Sequence, residues 1–199
     1  MRKQTKTLVL IALFAAISAV LRQLEVPAPF APLGTLNFDL SDLPVVLGGF
    51  ALGPWAAVAI AYVKNFIALF TTASFGAGEL ANFVFAVALA VPASIWYRKR
   101  LNISGAVYGL LLGVGCMIVS SMLVNYFIML PFYAWLLNIP LDALIGSFAE
   151  YNSFVETRLD IIIWTFLPFN LIKGALTAGL SVLLYRRVGD ELRKYINNP

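Results

Sequence analysis

Residues 103–130 run for 28 positions without one charged side chain. A helix needs roughly 20 apolar residues to cross the hydrocarbon core of a bilayer. In lipid no water pairs with backbone N–H and C=O groups, so a crossing segment folds as a helix or joins a closed barrel. Other apolar runs flank this one. With 61% of its 199 residues hydrophobic and 12% charged, the chain has too little polar side chain to cover a water-soluble domain. It is therefore expected to be all-α and polytopic. Residues 1–199 are expected to form a single integral membrane domain, with no length to spare for a soluble module.

Periodicity divides such a chain poorly, because lipid-facing and buried sides are both apolar. Breakers and charges divide it better. Six crossings are expected, at about 7–24, 43–52, 55–72, 80–97, 103–130 and 161–185. The N-terminal run imitates a signal peptide. Arg22 and Glu25 follow it without an A-x-A site, so it is read as a retained helix. The second run is too short to span untilted, and it is tolerated only if protein or water covers its loose backbone groups. The stretch "EVPAPFAPLGTLNFDLSD", with three prolines in six residues, is a loop. "ASFGAGE" is a turn, and Pro131 closes the fifth span. Residues 138–160 are a mixed loop in which an interfacial helix is an option.

Six crossings put both termini on one side. Arg2, Lys3, Lys6, Arg98, Lys99, Arg100, Arg186, Arg187, Arg193 and Lys194 then fall on that side, which the positive-inside rule makes the cytoplasm. The opposite face collects Glu25, Asp39, Asp42, Glu79, Asp142, Glu150, Glu156 and Asp160. Basic residues at membrane edges do not form a nucleic-acid patch. The chain has no histidine and one cysteine, Cys116. That removes the commonest general base and metal ligand, and it leaves no disulfide or thiolate cluster. No metal, catalytic residue or enzyme activity is expected.

Polar groups inside the spans carry what chemistry remains. Charges at bilayer depth are costly and usually face a cavity or a partner. Lys64, Asn125, Asn170 and Lys173 lie within spans, and Glu79 starts the fourth. Asn170 and Lys173 are i and i+3, so they share a helix face. Pro168 lies just before them and removes a backbone hydrogen bond, which kinks or opens the helix. Together the pair offers a carbonyl acceptor, an amide donor and an ammonium donor, a set suited to a small planar ligand. The plainer alternative is bonding between helices, which is commonly what intramembrane Asn does. For Lys64 three readings stay open: a carboxylate partner, a cavity or an interface. For Glu79 the plain reading is a favourable charge at a helix N-terminus. On the first helix Ala12/Ala16 and Ala15/Ala19 are small-x-x-x-small pairs, suited to close helix approach inside the bundle or to a partner; Gly109/Gly113 is another. The loop after that helix, with Leu33, Leu36 and Phe38, is placed to cover an outward-facing pocket.

The stretches "LNFDLSDLPVVLGGFALGPWAAVAIAYVKNFI", "GAGELANFVFAVALAVPASIWYRKR", "VNYFIMLPFY" and "FLPFNLIKG" carry a resemblance over most of the chain. The chain resembles the substrate-binding S components of energy-coupling factor vitamin transporters, and most closely the riboflavin-specific type. The resemblance implies a six-helix protein of a prokaryotic cell membrane. It would capture riboflavin from outside, under the loop after helix one; flavin mononucleotide is a second candidate ligand. Riboflavin would be cargo, and no cofactor is implied. Family members dock on a module of a transmembrane coupling protein and two ATPases. The absence of "GxxxxGK[ST]" agrees with such a subunit. By resemblance, Asn125, Asn170, Lys173, Glu79, Leu36 and Phe38 are the substrate-binding positions. Ala12, Ala15, Ala16 and Ala19 would meet the coupling protein. The chemistry agrees: the pyrimidine edge of a flavin alternates carbonyl, N–H and carbonyl, which Asn and Lys can pair. The alternatives are an S component for thiamin, pantothenate or folate, a non-transport membrane subunit, and, least favoured, an intramembrane enzyme.

Overall fold

The computed structural model describes residues 3–32, 35–71 and 75–197. Leu33, expected in the covering loop, Thr72, expected to end the third span, and residues 73–74 of the expected turn lie outside the described residues. In chain order the helices are α1 (Lys3–Gln23), α2 (Asp42–Leu52), α3 (Pro54–Ala68), α4 (Ala77–Lys99), α5 (Ile103–Val124), α6 (Leu130–Leu136), α7 (Leu141–Ala149), α8 (Arg158–Ile161) and α9 (Leu167–Asn197). Two short strands, β1 (Val26–Pro27) and β2 (Asn37–Phe38), separate α1 from α2. Among the described residues five stretches are long and apolar enough to cross a membrane: Gln4–Gln23, Pro54–Thr71, Ala77–Lys99, Ile103–Leu136 and Arg158–Arg187.

α2 is the exception, and its surroundings explain it. Eleven residues rise only about 16 Å, half of a bilayer core. Every residue of α2 except Leu47 and Leu52 is buried, and α1, α3, α4 and α9 all pack on it. Protein thus provides the cover that a short helix needs at membrane depth. Gly53 ends α2 with φ 107°, a conformation that favours glycine, and Pro54 starts α3 in the next position.

The fifth and last spans are longer than expected, for a shared reason. Pro131 does not end the fifth span. A π-helical turn, Asn125–Met129, precedes it, and α6 carries the helix on to Leu136. The last span repeats the device: a π-helical turn at Ile162–Phe166, then Leu167-Pro168-Phe169 at the start of α9. In both places the sequence reads Leu-Pro-Phe, and the turn ends two residues before the proline. A proline ring clashes with the carbonyl four residues back and offers no N–H, so the preceding turn widens. The carbonyl of Trp164, four residues before Pro168, accepts a long hydrogen bond from Asn152 Nδ2 at 3.5 Å.

α4 and α5 approach closely through glycine. A side chain on Gly109 would meet the Ala93 carbonyl at 2.6 Å, and one on Gly113 would overlap the Leu89 carbonyl. The Gly109/Gly113 pair therefore serves packing within the chain. The segment after α1 is not a bare loop: β1 and β2 pair antiparallel, Val26 opposite Phe38 and Pro27 opposite Asn37, and Ala28 N donates to Leu36 O at 2.9 Å. Within 138–160 lies α7, whose Leu144 and Phe148 pack with the hairpin's Leu36 and with Phe166 and Phe169. A capping box between Thr157 and Asp160 starts α8.

Candidate functional site

Two apolar clusters organise the interior. One gathers residues of α1 to α5 and α9 around Phe50, Ile60, Leu89 and Tyr97. The other gathers the hairpin, α6, α7 and the start of the last span around Leu36, Leu130, Phe148 and Phe166. A cavity of about 620 Å³ lies where they meet, lined by Met117 and Phe85 on one side and Leu36, Leu130, Phe148 and Phe169 on the other. It falls within the roughly 300–1,000 Å³ typical of small-molecule pockets, which are mostly apolar with a few placed polar groups.

Those polar groups are specific. Asn125, at the start of the first π-helical turn, and Asn170, four residues past the second, both line the cavity and both are buried. Each commits one amide N–H to its own helix: Asn125 Nδ2 donates to Ser121 O at 2.7 Å and Asn170 Nδ2 to Phe166 O at 2.8 Å. The side-chain carbonyl of each is left to pair with something else. Lys173 lines the same wall one turn from Asn170. Glu79, buried in the first turn of α4, and Leu36 also line it.

Phe38 does not line the cavity. It packs on Phe169, which does, with ring centroids 4.6 Å apart. The alanines of α1 divide. Ala15 and Ala19 are buried within the bundle and present no surface, while Ala12 and Ala16 are exposed.

Counterions explain the ammonium of Lys173. Its Nζ donates to Asp39 Oδ2 at 2.9 Å and stands 3.7 Å from Asp42 Oδ2. Lys64, fully buried, donates to Asp42 Oδ1 at 2.6 Å, Ser41 Oγ at 2.9 Å and Asn82 Oδ1 at 3.3 Å. Of its three readings the structure gives the carboxylate partner, and Lys64 stays off the cavity wall. The carboxylates of Asp39 and Asp42 thus pair with the ammonium groups of Lys173 and Lys64 in the interior, where unpaired charge is heavily penalised. Burial opposes charge on Asp39, yet the adjacent Lys173, Lys64 and Arg22 hold its carboxyl well below the usual carboxylate range.

Sequence reasoning put Asp39 and Asp42 among the acidic residues of the outer face. The structure buries both, with 5% and 2% of their surface exposed. The sequence did hold a signal: two acids three residues apart in "NFDLSD", and two lysines in spans that lack any other charge to match. Asn37 was also missed. It lines the cavity from β2, and among the described residues its buried Oδ1 has no partner. An acceptor in that position is expected to have a donor.

The model of the family described as ECF transporter, substrate-specific component, matches residues 6–185. The chain is 30% identical over 193 residues to the riboflavin transporter RibU of Staphylococcus aureus (strain TCH60), covering 96% of this chain and 95% of that protein. It is 29% identical over 185 residues to the riboflavin transporter FmnP of Bacillus subtilis (strain 168), covering 92% and 91%. A solved structure described as "Structure and mechanism of the S component of a bacterial ECF transporter" superposes with a TM-score of 0.76 at 29% identity, covering 96% of this chain and 99% of that one. The five apolar spans, the buried ion pairs beside a cavity and these likenesses agree, and the chain belongs to the family of substrate-specific components of ECF transporters.

Proposed function

We propose that the chain, acting as one membrane-embedded unit over its whole length, binds riboflavin in this cavity and delivers it inward when docked on an ECF module. The carrying observation is the wall that sets Asn125, Asn170 and Lys173 around an otherwise apolar and aromatic space. A flavin edge presents carbonyl, N–H and carbonyl. Carbonyl oxygens on Asn125 and Asn170 suit the N–H, and the ammonium of Lys173 suits a carbonyl. Asn37 and Glu79 add polar atoms beneath the hairpin, and Leu36 covers the ring with Phe38 behind Phe169. The likeness to proteins named riboflavin transporters supports this ligand over other vitamins. As in the family at large, the chain is a binding subunit and not an enzyme; flavin is cargo.

The test is titration of the purified protein in detergent, followed by quenching of flavin fluorescence. Saturable tight binding of riboflavin, and not of thiamin or pantothenate, is expected; a folded protein that leaves riboflavin fluorescence unchanged would refute the reading. Asn125→Leu and Asn170→Leu are each expected to weaken binding about 10-fold, because each removes a buried acceptor from the ligand's polar edge at about 1–3 kcal/mol.

Orientation follows the positive charge. Arg98, Lys99 and Arg100 close the fourth span and Arg186 and Arg187 close the last, at the ends that would face the cytoplasm with both termini. The hairpin then faces outward. Ala12 and Ala16 give α1 an exposed small-residue surface for the coupling protein. Ala16→Trp is expected to abolish riboflavin uptake by cells and co-purification with the module, while the isolated subunit still quenches riboflavin as before.

A further inference from the structure

We infer that Asp39 is a positioning residue: it latches the outer hairpin onto α9 and fixes the Lys173 ammonium at the cavity wall. The second half of this inference rests on the ligand reading above, and the first does not.

The geometry converges on one side chain with no exposed surface. Asp39 Oδ2 accepts from Lys173 Nζ at 2.9 Å and from Arg22 at 3.4 Å, and its other oxygen accepts from Ser41 N at 2.8 Å and from Ser41 Oγ. Asp39 directly follows β2, Arg22 lies in the last turn of α1, and Lys173 lies 134 residues further on in α9. Arg22 also donates to Glu25, the residue just before β1, at 2.5 Å. The neck of the hairpin is therefore clasped at its entry by Glu25 and at its exit by Asp39. One guanidinium joins the two, and one ammonium ties them to α9.

The clasp has a clear purpose. The hairpin has two paired positions per strand, and a two-stranded ribbon of that size is marginal by itself. Apolar contacts through Leu36 and Phe38 favour its closed position but do not fix it in one place, whereas charge-assisted hydrogen bonds do. The lysine needs the same help. An ammonium on a four-carbon stem has no preferred direction of its own. Asp39 takes one of its three protons, Asp42 at 3.7 Å lies beyond hydrogen-bond reach, and the remaining donors are held at the wall of the cavity. Without Asp39 the ammonium would be drawn to Asp42, and the hairpin would lose its tie to α9. Closure and site geometry are in this way one event.

The test reads the hairpin without any ligand. In a Cys116→Ser background, Ala28→Cys places a thiol at a hairpin position that is 1% exposed. Asp39→Asn is expected to speed its labelling by a membrane-impermeant maleimide at least about 10-fold, as local opening becomes easier. Asp39→Glu, which keeps the charge, is expected to restore most of the protection. Should removal of Asp39 unfold the chain, Asp39→Asn combined with Lys173→Met keeps the buried charges balanced and is expected to show the same acceleration. Unchanged labelling in both variants overturns the proposal. In a parallel pair of proteins that keep Cys116 and Ala28, with and without Asp39→Asn, an equal rise in the labelling of Cys116 in α5 also overturns it, because that would report general loosening. For the site, riboflavin dissociation from Asp39→Asn is expected to be at least about 10-fold faster, and the effects of Asp39→Asn and Lys173→Met on affinity should not add; full additivity overturns the positioning role. If the unaltered protein takes up no riboflavin, the ligand reading fails while the labelling still decides the latch.

Discussion

Lys173→Met is expected to weaken riboflavin binding by at least about 100-fold, because it withdraws a charged donor from the ligand and leaves buried carboxylates unbalanced. The two effects separate by measurement. The methionine fills a similar volume, so the cavity wall stays in place. Asp39 keeps only Arg22 at 3.4 Å and its bonds from Ser41, and Asp42 keeps Lys64. Breaking a buried ion pair from one side costs on the order of 3–5 kcal/mol, and a fall in melting temperature should accompany the loss of binding. Adding Asp39→Asn to Lys173→Met is expected to recover much of the melting temperature and none of the affinity. Wild-type affinity in Lys173→Met would remove Lys173 from the binding site and leave it a purely structural cation.

Gly113→Val is also expected to damage the folded protein severely, although it lies on helix packing and touches no ligand. The new Cβ would overlap the backbone carbonyl of Leu89, and a backbone carbonyl cannot rotate away as a side chain can. α4 and α5 would have to separate, emptying contacts around Leu89, Ala93 and Leu110 in the main apolar cluster. Overpacking of this kind typically costs about 1–3 kcal/mol, and more where backbone blocks relief. Two residues along the chain, on the other side of the helix, Gly115 has open space where its side chain would grow. Gly115→Val is the matched control, expected to melt close to the unaltered protein. Thermal unfolding followed by size-exclusion recovery checks both; equal melting temperatures would show that the close approach of α4 and α5 is not needed.

Much of the architecture is written in charge and breaker positions. The uncharged run after Ile103 announces a crossing, and "RKR" at 98–100 ends α4 where the charges begin. The short helix at Asp42–Leu52 was legible from its length, and so was its need for cover. Asn170 and Lys173 drew attention because polar side chains stand out among apolar neighbours, and the structure places them on one wall with Asn125, which is 45 residues before Asn170. What stayed hidden depends on contacts distant in sequence. Nothing local to Asp39 says that its partner lies 134 residues away, and an acid in a proline-rich segment reads as a solvated loop charge. Asn37 looked like an ordinary turn residue for the same reason. Pro131 differs in kind: as a helix breaker it signals the end of a span, while the chain widens one turn before it and continues to Leu136. The division of the α1 alanines was equally invisible, because two interleaved four-residue spacings fit the pattern and only packing shows which of them is buried.

The paired π-helical turns set a phase. An α-helix advances about 100° per residue, so one additional residue held in a turn rotates everything beyond it by that angle relative to an uninterrupted helix. Asn170 and Lys173 point where they do because of a residue added at Ile162–Phe166, and the α6 side chains stand in the same relation to Asn125–Met129. Each turn acts as an angular offset between the helix before it and the helix after it. Were either turn to tighten into an ordinary α-helical turn with no residue lost, the composition, the hydropathy and the helix would all be kept, and one half of the span would swing about a quarter of a circle against the other.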